Sequence, residues 1–303
     1  MSRYNSMQEL IGNTPLVKLN FMDIPPQVNV FAKLEFYNPS GSVKDRVGKY
    51  MLEAAEHKGL LKPGGAIVDA TAGNTGLGIA FAALGRGYRI IFVVPTKFSV
   101  EKQALLRALG AEVINTPLDG GMLGAAKKAE EIRAGIYGAI TLDQFKNMDN
   151  PRAHYEQTGP EIYKDMQGDI DYVVIGAGSG GTFSGVLKYL KEQNPAIQGI
   201  LADPVGSTLG GGEHANYEIE GIGNDFVAET MDMTLVDKVV KITDTEAFDM
   251  TRLLAKREGI FVGSSSGAAM AAVQKFAATI KKGNIVAVFP DRGDRYFSKG
   301  LFR

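Results

Sequence analysis

Lys44 stands in the run Asn38-Pro39-Ser40-Gly41-Ser42-Val43-Lys44-Asp45-Arg46, where Pro39 and Gly41 signal a turn and Ser42 a helix N-cap. A lysine in a first helical turn opposes the helix dipole, so it is a poor choice for stability. Once desolvated, its pKa falls and the neutral amine becomes a nucleophile able to form an imine. For this motif alone the plainer reading, a solvated lysine beside Asp45, stays open.

A second stretch, Gly176-Ala177-Gly178-Ser179-Gly180-Gly181-Thr182, follows an apolar run and precedes an amphipathic pattern. Glycines let the backbone approach an anion, and a helix N-terminus supplies N–H groups and a favourable dipole. The stretch reads as a phosphate cradle. It also satisfies Gly-x-Gly-x-x-Gly, with Asp203 ending the next apolar run, so a nicotinamide dinucleotide is the competing ligand.

Two further loops could carry polar chemistry. Thr71-Ala72-Gly73-Asn74-Thr75-Gly76 offers N–H groups and hydroxyls to a carboxylate, or serves simply as a βα turn rich in capping residues. In Gly263-Ser264-Ser265-Ser266-Gly267 a helix cap needs one serine, and a spare hydroxyl could bond to a neutral ring nitrogen. His57, His154 and His214 lack ligand-like spacing and there is no cysteine, so no metal site is expected. No Gly-x-Ser-x-Gly elbow accompanies them, which argues against a Ser–His–Asp nucleophile; His154 reads as a helix residue.

The elements that must position these loops alternate. Strands are expected at 30–34, 66–70, 89–94, 112–115, 171–175, 199–202, 239–242 and 285–289. Helices are expected at 101–109, 124–133, 182–192, 246–257 and 267–280, with Thr243 and Glu246 as a capping box and Gly259 as a stop. Uninterrupted apolar strands alternating with helices predict an α/β fold with mostly parallel sheets. At 303 residues the chain suits about two domains of roughly 150 residues each. With 45% hydrophobic and 22% charged residues and a net charge of −1, it shows neither a nucleic-acid-binding nor a membrane-binding surface. The polar start and the lack of a spanning apolar run make the expected location cytoplasmic.

Taken in order, these stretches resemble the cysteine synthase and cystathionine β-synthase family of fold-type II pyridoxal phosphate enzymes. The resemblance covers essentially the whole chain. It also includes Ile11-Gly12-Asn13-Thr14-Pro15-Leu16, Gln144-Phe145 with Asn150-Pro151, Glu220-Gly221-Ile222-Gly223 and Phe289-Pro290-Asp291. It implies a larger cofactor-phosphate domain of residues 1–42 and 148–303 and a smaller mobile substrate domain of 43–147, each a mostly parallel sheet flanked by helices.

The resemblance also implies roles. Lys44 would hold pyridoxal 5'-phosphate as a Schiff base and, once displaced, remove the substrate α-proton. Gly178, Ser179, Gly180, Gly181 and Thr182 would hold the cofactor phosphate, Asn74 its ring hydroxyl and Ser265 its pyridine nitrogen. Thr71, the N–H of Ala72, Asn74, Thr75 and Gln144 would hold the substrate carboxylate, and Gly221, Ile222 and Gly223 would border the entrance. The implied reaction is β-replacement on O-acetylserine or serine, with sulfide giving cysteine as first expectation and homocysteine giving cystathionine as the alternative. Ala72 stands where cysteine synthases usually carry serine, and relatives with alanine there include enzymes joining O-acetylserine to homocysteine. The stretch from Tyr217 through Lys238 looks especially like cystathionine β-synthases. A homodimer is the family expectation, without the haem segment or paired regulatory domains that some members carry.

Overall fold

Runs such as Val173-Val174-Ile175 and Ile285 to Phe289 are at most 1% exposed, because each lies in a parallel sheet covered on both faces. A computed structural model describes residues 3–21, 23–71, 73–96 and 100–302. Among these, the strands in chain order are β1 (Leu16–Leu19), β2 (Gln27–Leu34), β3 (Ala66–Asp69), β4 (Arg89–Pro95) and β5 (Glu112–Thr116). Then follow β6 (Tyr172–Gly176), β7 (Gln198–Pro204), β8 (Lys238–Ile242) and β9 (Lys282–Phe289). The helices are α1 (Lys44–His57), α2 (Asn74–Ala82), α3 (Val100–Ala108), α4 (Gly121–Ala134), α5 (Asp149–Ala153), α6 (Gly159–Asp165), α7 (Gly181–Gln193), α8 (Asp244–Glu258) and α9 (Ser264–Ala277). A π-helical turn, His154–Thr158, joins α5 to α6.

The chain divides into two compact units, one of Met1–Ile11 with Lys44–Asn150 and one of Gly12–Val43 with Pro151–Arg303. Residues up to Ile11, expected with the larger unit, belong to the smaller: Gln8 Nε2 donates to the Phe81 and Leu84 carbonyls at the end of α2, 3.4 Å each.

In the smaller unit β3, β4 and β5 lie parallel in that order, and β3 gains a parallel bridge from Ile67 to Ile140. One face is packed by α1, α2 and α3 through Val47, Met51, Leu77 and Leu106, and the other by α4 through Ala125 and Ala129. The turn after β3 leads directly into α2.

In the larger unit the order is β1-β2-β9-β6-β7-β8, with β1 antiparallel to β2 and every other pair parallel. Small residues bring α8 and α9 together, so that a β-carbon on Gly267 would lie 2.1 Å from the Ala247 carbonyl oxygen. Thr243 and Glu246 form the expected capping box, contributing about 1 kcal/mol, and Gly259 ends α8 at φ +67°. The Asn13-Thr14 motif is structural: Lys33, fully buried, donates to the Thr14 carbonyl at 2.7 Å and pairs with Glu161 at 2.9 Å. The glycine-rich stretch begins at the carboxyl end of β6, the end of a parallel strand where α/β folds place ligands.

Candidate active site

In the smaller unit Lys44 is the first residue of α1. Glycines let α1 and α2 meet backbone to backbone. A β-carbon on Gly48 would lie 2.3 Å from the Gly78 carbonyl carbon, and one on Gly78 would lie 2.1 Å from the Lys44 carbonyl oxygen. Gly78 is one turn beyond Asn74, so this crossing fixes Lys44 relative to the N-terminal turn of α2. Desolvation lowers the Lys44 amine from 10.5 to about 8, which raises its neutral fraction near pH 7 by roughly 300-fold.

The turn after β3 brings Thr71, Asn74 and Thr75 together with Gln144. Thr75 Oγ1 donates to Gln144 Oε1 at 2.6 Å, and the Gly73 N–H reaches Thr71 Oγ1 at 3.4 Å. Gln144 is held in turn from behind, since Asn150 Nδ2 donates to its carbonyl at 2.7 Å. Asp69, which sequence reasoning passed over, anchors the approach to Gln144: it accepts from Thr141 Oγ1 at 2.8 Å and the Leu142 N–H at 2.9 Å. Burial outweighs those bonds and raises its carboxyl to about 6. Ala72 lies outside the described residues.

In the larger unit Gly176 to Thr182 turns from β6 into α7, with Gly180 as N-cap at φ +82° and no side-chain cap. Gly180 has no side chain with which to cap this 13-residue helix, so its own backbone leads into the first-turn N–H groups. Side chains have no room here: a β-carbon on Gly178 would lie 2.6 Å from the Gly221 carbonyl oxygen, and one on Gly180 2.3 Å from Met231 Cβ. Beneath the loop, fully buried His154 places Nε2 3.1 Å from Thr182 Oγ1 and Nδ1 2.9 Å from Thr158 Oγ1. His154 sits on the π-helical turn, whose extra residue re-aims a side chain out of α-helical register. Its part in fixing Thr182 has no signature in the sequence.

The three serines divide their work. Ser264 Oγ accepts from the Glu220 N–H at 3.0 Å, and Ser266 Oγ is sealed from solvent without a partner among the described residues. Ser265 is 4% exposed and makes no side-chain hydrogen bond among the described residues. Asp244 Oδ1 takes the Glu218 and Ile219 N–H groups at 2.9 and 3.0 Å, so the segment leading to Gly221, Ile222 and Gly223 is tied to the starts of α8 and α9. Ile222 covers Gly176, where a β-carbon would come within 2.7 Å of it.

Taken unit by unit, the groups have the chemistry that pyridoxal phosphate needs: in the larger unit a glycine-capped helix N-terminus suited to a dianion and a buried hydroxyl with no partner among the described residues, suited to a ring nitrogen; in the smaller unit an amine of lowered pKa, suited to a carbonyl carbon. They fit a dinucleotide less well. Asp203, which a ribose would need, is fully buried and its Oδ2 accepts from Lys241 at 2.5 Å and from the Gly210 N–H at 3.0 Å. Among the described residues no cluster of three metal-ligating side chains occurs, and no helix is long and apolar enough to cross a membrane.

Comparison with known proteins agrees. The chain is 46% identical to an O-acetylserine dependent cystathionine beta-synthase of Bacillus subtilis (strain 168), covering 100% of this chain and 99% of that protein. It is 45% identical to a cysteine synthase of Helicobacter pylori (strain ATCC 700392 / 26695), covering 98% of each. Among solved structures, an O-acetylserine dependent cystathionine beta-synthase from Helicobacter pylori matches with a TM-score of 0.95 and 44% identity over 100% of both chains. Residues 7–291 match the family described as pyridoxal-phosphate dependent enzyme, and the chain belongs to that family.

Proposed function

We propose that this enzyme catalyses β-replacement on O-acetylserine, with homocysteine ahead of sulfide as the incoming nucleophile. Bound pyridoxal phosphate supplies the electron sink that lets the substrate lose its α-proton and β-substituent. The observation that carries the reaction is the pairing, in one chain, of an amine lowered to about 8 with a glycine cradle.

The chain's own residues divide the task. Lys44 Nζ anchors the cofactor and, once released, takes the proton from the substrate α-carbon. The N–H groups of Gly178, Ser179, Gly180 and Gly181 hold the phosphate together with Thr182, which His154 orients. Asn74 bonds to the ring hydroxyl. Ser265 meets the ring nitrogen with a hydroxyl rather than a carboxylate, which leaves the ring neutral and restrains it from deeper carbanion chemistry. Thr71, the Ala72 N–H, Asn74, Thr75 and Gln144 hold the substrate carboxylate, with Gln144 oriented by its bond to Thr75. Gly221, Ile222 and Gly223 border the entrance.

Homocysteine is placed first on the full-length likeness to two proteins named O-acetylserine dependent cystathionine beta-synthase and on the alanine at position 72, where cysteine synthases usually carry serine. Sulfide is the second reading, favoured by the likeness to cysteine synthases and put first by the sequence alone. We further propose a homodimer, as the family resemblance implies, and a cytoplasmic location. The test offers O-acetylserine with homocysteine or with sulfide and quantifies both products. Faster cystathionine formation is expected; faster cysteine formation reverses the order of nucleophiles, and neither product would overturn the reaction.

A further inference from the structure

Three consecutive carbonyls of the glycine loop are taken by one distant segment. The Gly223 N–H donates to the Ala177 carbonyl at 2.8 Å. Asn224 Nδ2 donates to the Gly178 carbonyl at 2.7 Å. Thr230 Oγ1 donates to the Ser179 carbonyl at 2.5 Å. A trans peptide is planar, with the carbonyl of one residue opposed to the N–H of the next. Drawing the carbonyls of residues 177, 178 and 179 to one side therefore turns the N–H groups of Gly178, Ser179 and Gly180 to the other. That is the arrangement of a backbone anion nest.

The donors are themselves fixed. Ser207 Oγ accepts from the Asn224 N–H at 3.0 Å and donates to the Asn224 carbonyl at 3.0 Å, and that carbonyl also accepts from the Thr208 and Leu209 N–H groups. Thr230 is 1% exposed. Nearby, the Asp232 N–H donates to Ser184 Oγ on α7 at 2.8 Å, continuing the attachment beyond the loop. Neither side chain needs to touch a ligand to act on one.

We propose that Asn224 and Thr230 are positioning residues for phosphate binding: by holding the Gly178 and Ser179 carbonyls they aim the N–H groups of Ser179 and Gly180 at the cofactor's phosphate. They also make the entrance segment, which begins at Gly221, part of the phosphate grip. This rests on the reading of Gly178–Thr182 as the phosphate loop.

The experiment measures dissociation constants of pyridoxal phosphate and of pyridoxal for the apoenzyme, its Asn224→Ala, Thr230→Val and Thr230→Ser forms, and each holoprotein's phosphorus resonance. Each lost hydrogen bond should weaken pyridoxal phosphate about five- to tenfold while moving pyridoxal less than about twofold. Thr230→Ser keeps the hydroxyl and should restore the wild-type preference and resonance. Equal weakening of both ligands, or full retention of the phosphate preference in Asn224→Ala and Thr230→Val, would overturn the positioning role. A wild-type enzyme that binds pyridoxal as tightly as pyridoxal phosphate would instead overturn the reading of the loop. Should Asn224→Ala not fold, the Thr230 pair decides alone.

Discussion

Gly78 touches Lys44 through backbone, so closely that a β-carbon on Gly78 would come within 2.1 Å of the Lys44 carbonyl oxygen. The relevant atom is main chain and cannot rotate away. Gly78→Ala must therefore push α1 off α2 or distort the first turn that carries Lys44. The expected cost is roughly 1–3 kcal/mol of stability, the usual range for overpacking, together with weaker capture of pyridoxal phosphate. Chemical denaturation and cofactor titration of the variant check both. An unchanged unfolding midpoint would show that the helices can separate freely.

Lys44 has a pH signature. Its amine is lowered to about 8 by desolvation, so the neutral nucleophile accumulates as pH rises and is complete above that value. The rate of cofactor capture by the apoenzyme should climb toward about pH 8 and then level. An unperturbed lysine would keep climbing toward 10.5. In Lys44→Arg, covalent capture should vanish. The stability sign follows as well: the folded apoenzyme binds fewer protons than the unfolded chain between about 8 and 10.5, so this group's contribution to stability grows with pH across that window.

Asp69 behaves in the opposite sense. Its folded-state value is raised from 3.8 to about 6, chiefly by burial. The neutral carboxyl is favoured in the fold, so its contribution is complete below 3.8 and is lost as pH rises through about 6. Asp69→Asn removes the titration while keeping one acceptor for Thr141 or Leu142. The wild type should lose stability relative to this variant across that interval, as denaturation at a series of pH values will show. A constant difference would mean that Asp69 stays charged.

Much of the fold was legible because strands buried on both faces are apolar without alternation, as β4, β6 and β9 are. β1 was not: Leu16–Leu19 is a four-residue edge strand with two exposed positions, too short to show a period. α4 starts at Gly121, three residues before the expected 124, because the glycines at 120 and 121 offer no side-chain cap to mark its start. At the site, Lys44, the glycine loop, Asn74, Gln144 and Ser265 belong to recognisable local runs. His154, Asn224 and Thr230 do not. They act through contacts to residues 28, 46 and 51 positions away, and a side chain bonding a remote carbonyl leaves no periodicity behind. Asp69 was hidden for the same reason, since its partners Thr141 and Leu142 are 72 and 73 positions distant.

Ser265 separates a chemical role from a structural one. Its hydroxyl makes no hydrogen bond among the described residues, so Ser265→Ala should change apoenzyme stability by no more than about 0.5 kcal/mol. Turnover should fall, because the ring nitrogen loses its partner. A thermal melt of the apoenzyme together with steady-state rates distinguishes the two. Marked destabilisation would assign the hydroxyl to folding instead.

The central claim is that Lys44 carries the cofactor, and borohydride reduction of the holoenzyme followed by peptide mass mapping tests it most directly. The reduced cofactor should be found on the peptide containing Lys44, with no label in Lys44→Ala. Label on another lysine, Lys33 or Lys241 for example, or no covalent label at all, would contradict it.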